Sequence, residues 1–332
     1  MAPDEFKRIL VIHFGQLGDV VLGLPALKAI RERFPDAEIT LMTGKPAAEI
    51  VGLAKVSDDV IAVDRVDLRD GNPILSIAKI FKLVGRVRSR RFDLVIDLHS
   101  LSETNLLGFL ARIPRRLYAN RENRSLDRLG NFRPRPARED KARHVADRYF
   151  DVLAPLGITG PTRPFRFDAS VVSQRTELEP LEGSVGIFPG AGHPSRCWNL
   201  NNFEALARNL IANGHQVAVF LGPEESGLRE QIVETFPEGI KIVEGLTLTE
   251  FIGAVSGVSV FICNDTGPMH LAGCAGVPVV LLMDERAPIT YLPLTYKLVT
   301  VRHGRLDEIT VQEALAAIQA ALRGEYDKDA SA

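Results

Sequence analysis

Strand–helix alternation constrains the fold of this chain more than any other feature. Short β-branched runs, "RILVIHF", "AEITLMTG", "DDVIAVD" and "DLVIDLH", each lead into a stretch with apolar residues at helical spacing. Those stretches are "LGLPALKAIRERF", "PAAEIVGLA", the long "PILSIAKIFKLVGRVRSRRF" opening at Pro73, "TNLLGFLARI" and "KARHVADRYFDVLAPLGI". Consecutive parallel strands need a crossover, and a helix supplies it, so the pattern predicts a parallel sheet covered on both faces. It breaks across residues 160–183, "GPTRPFRFDASVVSQRTELEPLEG", where proline and charge accumulate. It then restarts with "SVGIFPG", "HQVAVFLG", "KIVEG", "SVFICND" and "PVVLLMD" as strands between helices such as "NLNNFEALARNLIANG" and "ESGLREQIVETF". The chain therefore reads as two doubly wound α/β domains, 1–165 and 166–332, facing each other across a cleft. Its 332 residues exceed one ordinary core, and a 45% hydrophobic content can fill two.

Charge and cysteine usage narrow the function classes. A net charge of −2 argues against a general nucleic-acid binder. Cys197, Cys263 and Cys274 are odd in number and far apart, which fits a reducing compartment and offers no disulfide framework. No apolar run approaches the ~20 residues of a membrane span, and "MAPDEFKR" does not read as a signal peptide. The expected location is the cytoplasm or the cytoplasmic face of a membrane.

In open parallel sheets, ligands bind beyond the carboxyl ends of the strands. Two loop sets fall there. "HFGQLGDVVLGLPAL" (His13–Leu27) looks like a phosphate loop, yet its glycines lack that spacing and Asp19 would repel an anion. "ICNDTGPMHLAGCAG" is the stronger anion site: Asp265 or Thr266 can cap its helix, and Pro268 suits the first turn. The open N–H groups of that turn attract phosphate, with Gly267 and His270 beside them. In "FPGAGHPSRCWNLNNF", Ser195 and Arg196 offer a hydroxyl and a guanidinium to a diphosphate. Glu224 or Glu225 in "FLGPEESG" can accept from ribose hydroxyls, or simply start a helix. Neither GxGxxG nor GxxxxGK[ST] occurs, which argues against a dehydrogenase or a P-loop ATPase. No HExxH or paired His/Cys set is present, so no metal cofactor is expected.

Together "GDVVLGLPAL", "FPGAGHPSRCWNLNNFEALA" and "NDTGPMHLAGCAGVP" resemble glycosyltransferase family 9, the heptosyltransferases of lipopolysaccharide assembly. The resemblance runs in order over nearly the whole chain, and "NDTGPMHLA" is its most specific part. It implies a GT-B fold and metal-independent, inverting transfer of heptose from ADP-heptose to an acceptor hydroxyl. Asp19 then matches the general base. Thr266, Gly267 and His270, with Asp265 beside them, match the nucleotide-diphosphate loop. Arg196 stands where family members commonly carry lysine, which keeps the charge and changes the geometry. Glu224 or Glu225 matches the ribose-binding acid loosely.

The acceptor side reads from charge. Residues 112–148 hold eleven arginines and one lysine against five acidic residues, which suits an anionic glycolipid or saccharide acceptor. Gly18, Arg121, Arg124 and His144 are candidate acceptor contacts. The Pro73–Arg91 stretch sets Lys79, Lys82, Arg86, Arg88, Arg90 and Arg91 beside an apolar stripe, so peripheral membrane contact is a second expectation. The alternative readings are a GT-B transferase or epimerase using another nucleotide sugar, or a non-catalytic nucleotide-sugar binder.

Overall fold

The computed structural model describes residues 6–64, 73–122, 126–172 and 181–327, without the side chains of 73–78. The chain divides into two compact units, Met1–Thr162 and Arg163–Ala332. Each unit is a parallel sheet with helices between successive strands, except that only a 3-10 turn at Ile289–Tyr291 separates the last two strands of the second unit.

The first unit contains β1 (Arg8–His13), β2 (Glu38–Gly44), β3 (Asp59–Val63), β4 (Leu94–Asp97) and β5 (Arg115–Tyr118) in the order β3-β2-β1-β4-β5. In register, Ile9 to Ile12 of β1 lie beside Leu94 to Asp97 of β4. The second unit contains β6 (Val185–Phe188), β7 (Val217–Phe220), β8 (Lys241–Val243), β9 (Val260–Asn264), β10 (Val279–Asp284) and β11 (Leu298–His303), ordered β11-β10-β9-β6-β7-β8. Strand order reverses between β1 and β4 in one unit and between β6 and β9 in the other. These are the two places where a doubly wound sheet opens a crevice.

The inner strands are near-continuous buried runs dominated by Val, Ile and Leu, as expected for sheets covered on both faces. One core joins Leu10, Ile12, Met42, Ile61 and Val95 to Val87 and Leu107 of the helices on that face. Another packs Trp198, Phe203, Leu206 and Leu210 against Val185, Val219 and Val260.

Several elements differ from the sequence reading. "RRLY" is strand β5 inside the basic segment, and "LVTVRH" is the edge strand β11. The expected helix at residues 141–158 is shorter, Val145–Leu153, because His144 caps it and a 3-10 turn at Ala154–Leu156 follows. "ESGLREQIVETF" splits into a 3-10 turn at Pro223–Leu228 and a helix at Arg229–Thr235.

Candidate functional site

In the first crevice, β1 ends at His13 and the chain turns through Gly15 into the Leu17–Arg33 helix. Gln16 is the N-cap, Gly18 lies in the first turn, and Asp19 is the third helical residue. Asp19 Oδ2 accepts the Gln16 backbone N–H at 3.0 Å. Among the described residues this is its one hydrogen bond, so Oδ1 is left to meet a ligand. Burial raises the Asp19 pKa, against the Gln16 N–H and the positive charges of Arg121 and Arg148. Those arginines share Glu139: Arg121 Nε donates to Oε2 at 3.1 Å and Arg148 Nη1 to Oε1 at 3.2 Å. Arg121 Nη1 also donates to the His99 carbonyl at 2.6 Å. Two guanidiniums and one bridging carboxylate leave one net positive charge near Asp19.

His13 was not singled out from sequence, and it lies fully buried in this crevice. Its Nδ1 accepts the Gly15 N–H at 3.3 Å, which assigns the proton to Nε2. The ring meets Tyr149 edge-on at 4.9 Å and His99 at 5.7 Å between centroids. Burial, with the nearby His99 and Arg121, lowers its pKa to about 3, so the imidazole is neutral. A Cβ on Gly15 would sit 2.3 Å from Asp19 Cβ and 2.8 Å from His13 Cε1. Only glycine lets the loop close over both. The sequence signal was a polar residue ending an otherwise apolar strand.

At the end of β4, Asp97 is also fully buried. Its carboxylate accepts from the Ser100 N–H at 2.6 Å, from Asn105 Nδ2 at 3.0 Å and from the Thr104 hydroxyl. Burial still raises its pKa, to about 6. Asp97 thus fixes the loop that carries His99. His144 acts as an N-cap, its Nδ1 accepting the Ala146 N–H at 3.3 Å, and so seats the helix bearing Arg148 and Tyr149. Arg124 lies outside the described residues.

In the second crevice, the β6 and β9 loops are joined by Asn264, another residue the sequence did not single out. Its Oδ1 accepts the Trp198 N–H at 2.9 Å. Its Nδ2 donates to the carbonyls of Pro189 at 2.8 Å and Gly190 at 3.2 Å. Arg196, 63% exposed, reaches Asp265 at 3.4 Å. Burial raises the Asp265 pKa and Arg196 opposes it. Ser195 Oγ lies 2.8 Å from His193 Nδ1.

Thr266 occupies the N-cap of the Gly267–Ala275 helix, but its side chain makes no capping hydrogen bond. His270 is buried in the first turn. Of the two glutamates, Glu225 is buried and Glu224 exposed. Glu225 Oε2 accepts the Gly222 N–H at 3.1 Å, and a Cβ on Gly190 would lie 2.1 Å from its Oε1. Glu225 is therefore the acid held against the β6 loop. Among the described residues, no group of three or more His, Cys, Asp or Glu is placed to hold a metal.

Residues 80–316 match the model of glycosyltransferase family 9 (heptosyltransferase). The chain belongs to glycosyltransferase family 9. It is 24% identical to lipopolysaccharide heptosyltransferase 3 of Escherichia coli K12, over 90% of this chain and 88% of that protein. A family 9 glycosyl transferase from Veillonella parvula superposes with TM-score 0.85 and 23% identity, over 98% of this chain and 99% of that one. The E. coli heptosyltransferase WaaC with ADP gives TM-score 0.78 and 17% identity, over 95% and 99%. The fold is therefore GT-B, and this family 9 member is a glycosyltransferase. Among its described residues, no helix is long and apolar enough to cross a membrane.

Proposed function

We propose that this family 9 enzyme transfers a heptosyl group from ADP-heptose to a hydroxyl of an anionic lipopolysaccharide-core acceptor, with inversion and without a metal. The observation that carries this reading is Asp19. It is half-buried at the first crevice, has a raised pKa, and offers one carboxylate oxygen to a ligand. A base of that kind takes the acceptor proton as the hydroxyl oxygen bonds to the anomeric carbon. The bond from that carbon to the ADP oxygen breaks on the opposite face. Arg196 and the open first turn of the Gly267–Ala275 helix then meet the charge on the departing diphosphate. Glu225 is the candidate ribose contact, and Ser195 and His270 complete the donor contacts. Arg121 and Arg148 supply the positive field that holds an anionic acceptor near Asp19.

The names of the relatives support the sugar and the acceptor class: they are lipopolysaccharide heptosyltransferases, and one solved neighbour carries ADP. Three free cysteines support a reducing, cytoplasmic setting.

Asp19→Asn tests the base. Transfer is expected to fall by about 10²–10⁴-fold, the usual weight of a general base. ADP binding, followed by thermal shift, is expected to stay unchanged. Equal loss of ADP binding would remove Asp19 from the base role. A larger thermal shift with UDP or GDP than with ADP would overturn the donor assignment.

A further inference from the structure

The first unit carries an apolar stripe that its own core does not use. The Ser102–Leu110 helix buries Thr104, Asn105, Leu107 and Gly108 against the sheet. Gly108 is pressed so close that a Cβ there would lie 2.4 Å from the Tyr118 hydroxyl. The outward face should then be polar, as on an ordinary surface helix. Instead Leu106, Phe109 and Leu110 stand there at i, i+3 and i+4, each more than 40% exposed.

A second apolar group lies on the same side of the sheet. Leu83, Val84 and Val87 of the Pro73–Ser89 helix pack on the same core cluster as Leu107 and Ala111. That helix leaves Ile80 46% and Phe81 68% exposed.

Charge accompanies both groups and is predominantly positive. From Lys79 to Arg91 there are six basic residues and no acidic one. From Ser102 to Arg121 the charged residues are Glu103, exposed in the first turn of the helix, and Arg112, Arg115, Arg116 and Arg121, a net excess of positive charge. The Arg116 guanidinium lies 5.5 Å from the centre of the Phe109 ring, so cation and apolar surface are contiguous. Lys82, Arg86, Arg88, Arg112 and Arg115 are exposed.

We propose that this face docks on a bilayer bearing anionic headgroups. Leu106, Phe109 and Leu110 enter the headgroup–acyl boundary, Ile80 and Phe81 extend the contact, and the flanking Lys and Arg pair with lipid phosphates. Charge complementarity selects this occupant over a second copy of the chain, because two such faces would bring like charges together. The proposal does not depend on the donor sugar or on the role of Asp19.

Vesicle co-sedimentation tests it with two probes, pure phosphatidylcholine and phosphatidylcholine mixed with phosphatidylglycerol. The intact chain is expected to bind the mixed vesicles at least about tenfold better, and to release as salt screens the charges. Leu106→Gln, Phe109→Gln and Leu110→Gln combined should lower binding to the mixed vesicles about tenfold or more. Arg112→Gln with Arg115→Gln should weaken binding and flatten its salt dependence. This surface pair guards against a triple variant that fails to fold, which circular dichroism would reveal. Equal binding of both vesicles, or unchanged binding by a folded triple variant, would overturn the proposal. So would a concentration-dependent dimer that the triple variant abolishes, since that assigns the stripe to a second copy.

Discussion

Asp97 and Asn264 hold the same topological post. Each ends the fourth strand of its unit, beside the point where strand order reverses, and each is fully buried. They differ by one chemical group, an oxygen for an NH2, and the crevices differ accordingly. A carboxylate only accepts, so Asp97 gathers donors from its own loop and helix: Ser100, Thr104 and Asn105. An amide accepts and donates, so Asn264 reaches across to the neighbouring strand's loop and binds an N–H and two carbonyls. The first crevice is thereby left with buried titratable groups, His13 and Asp97, beside a half-buried Asp19. The second has a neutral amide at that post, with Glu225 buried against the β6 loop and the Arg196–Asp265 pair at the rim. One setting suits a base with a raised pKa, and the other suits an anion that arrives and leaves.

Swapping the groups should break this division, most severely in the second unit. Asn264→Asp keeps an acceptor for Trp198 but turns a carboxylate oxygen toward two carbonyls with no proton between them. Burying an uncompensated charge costs about 3–5 kcal/mol. Asn264→Ala only orphans the three partners, at about 2–3 kcal/mol. Urea midpoints should rank wild type above Ala above Asp, with ADP binding lost in the same order. An Asp variant as stable as wild type would show that Asn264 does not join the two loops.

The first unit makes an electrostatic prediction of intermediate size. His13 is held at a pKa of about 3, below its unfolded value, so the unfolded chain binds the proton first on acidification. Its contribution is present above pH 6.5 and is lost as pH falls toward 3. Asp97, raised to about 6, has the opposite sign. The folded chain binds that proton first, so stability is gained as pH falls from 6 toward 4. Between pH 6.5 and 4.5 each amounts to about 2–3 kcal/mol, and the two nearly cancel. His13→Gln should therefore make the protein more stable at pH 4.5 relative to pH 6.5 than wild type is. Asp97→Asn should make it less so. Urea midpoints at the two pH values check the pair, and shifts of the same sign would refute the assignment.

Much of the comparison was legible in advance. Alternating strands and helices announced both sheets, and "GDVVLGLPAL" and "NDTGPMH" placed Asp19 and Thr266 at strand ends. The unread part has a common cause. His13 and Asn264 lie inside the strand-end motifs, but their importance comes from partners remote in sequence. Tyr149 covers His13 from over a hundred residues away, and Trp198 meets Asn264 from 66 residues away. Strand β5 was hidden for a related reason. In "RRLY" only Leu117 and Tyr118 turn inward, and the arginines dominate the local composition. Periodicity cannot report a contact made by folding.

Arg196 offers the smallest effect and the sharpest view of the second crevice. It sits at the rim, its partner Asp265 is 3.4 Å away, and an ion pair so exposed contributes less than about 1 kcal/mol to stability. Arg196→Lys should therefore leave the urea midpoint within experimental scatter. The diphosphate is a more demanding partner, because a guanidinium grips two oxygens where an ammonium is a point charge. ADP affinity should fall about threefold, and transfer kcat/KM about tenfold, because negative charge on the leaving oxygen grows during bond breaking. Equal losses in the two measurements would confine Arg196 to ground-state binding. The leaving-group charge would then rest on the helix start at Gly267 alone.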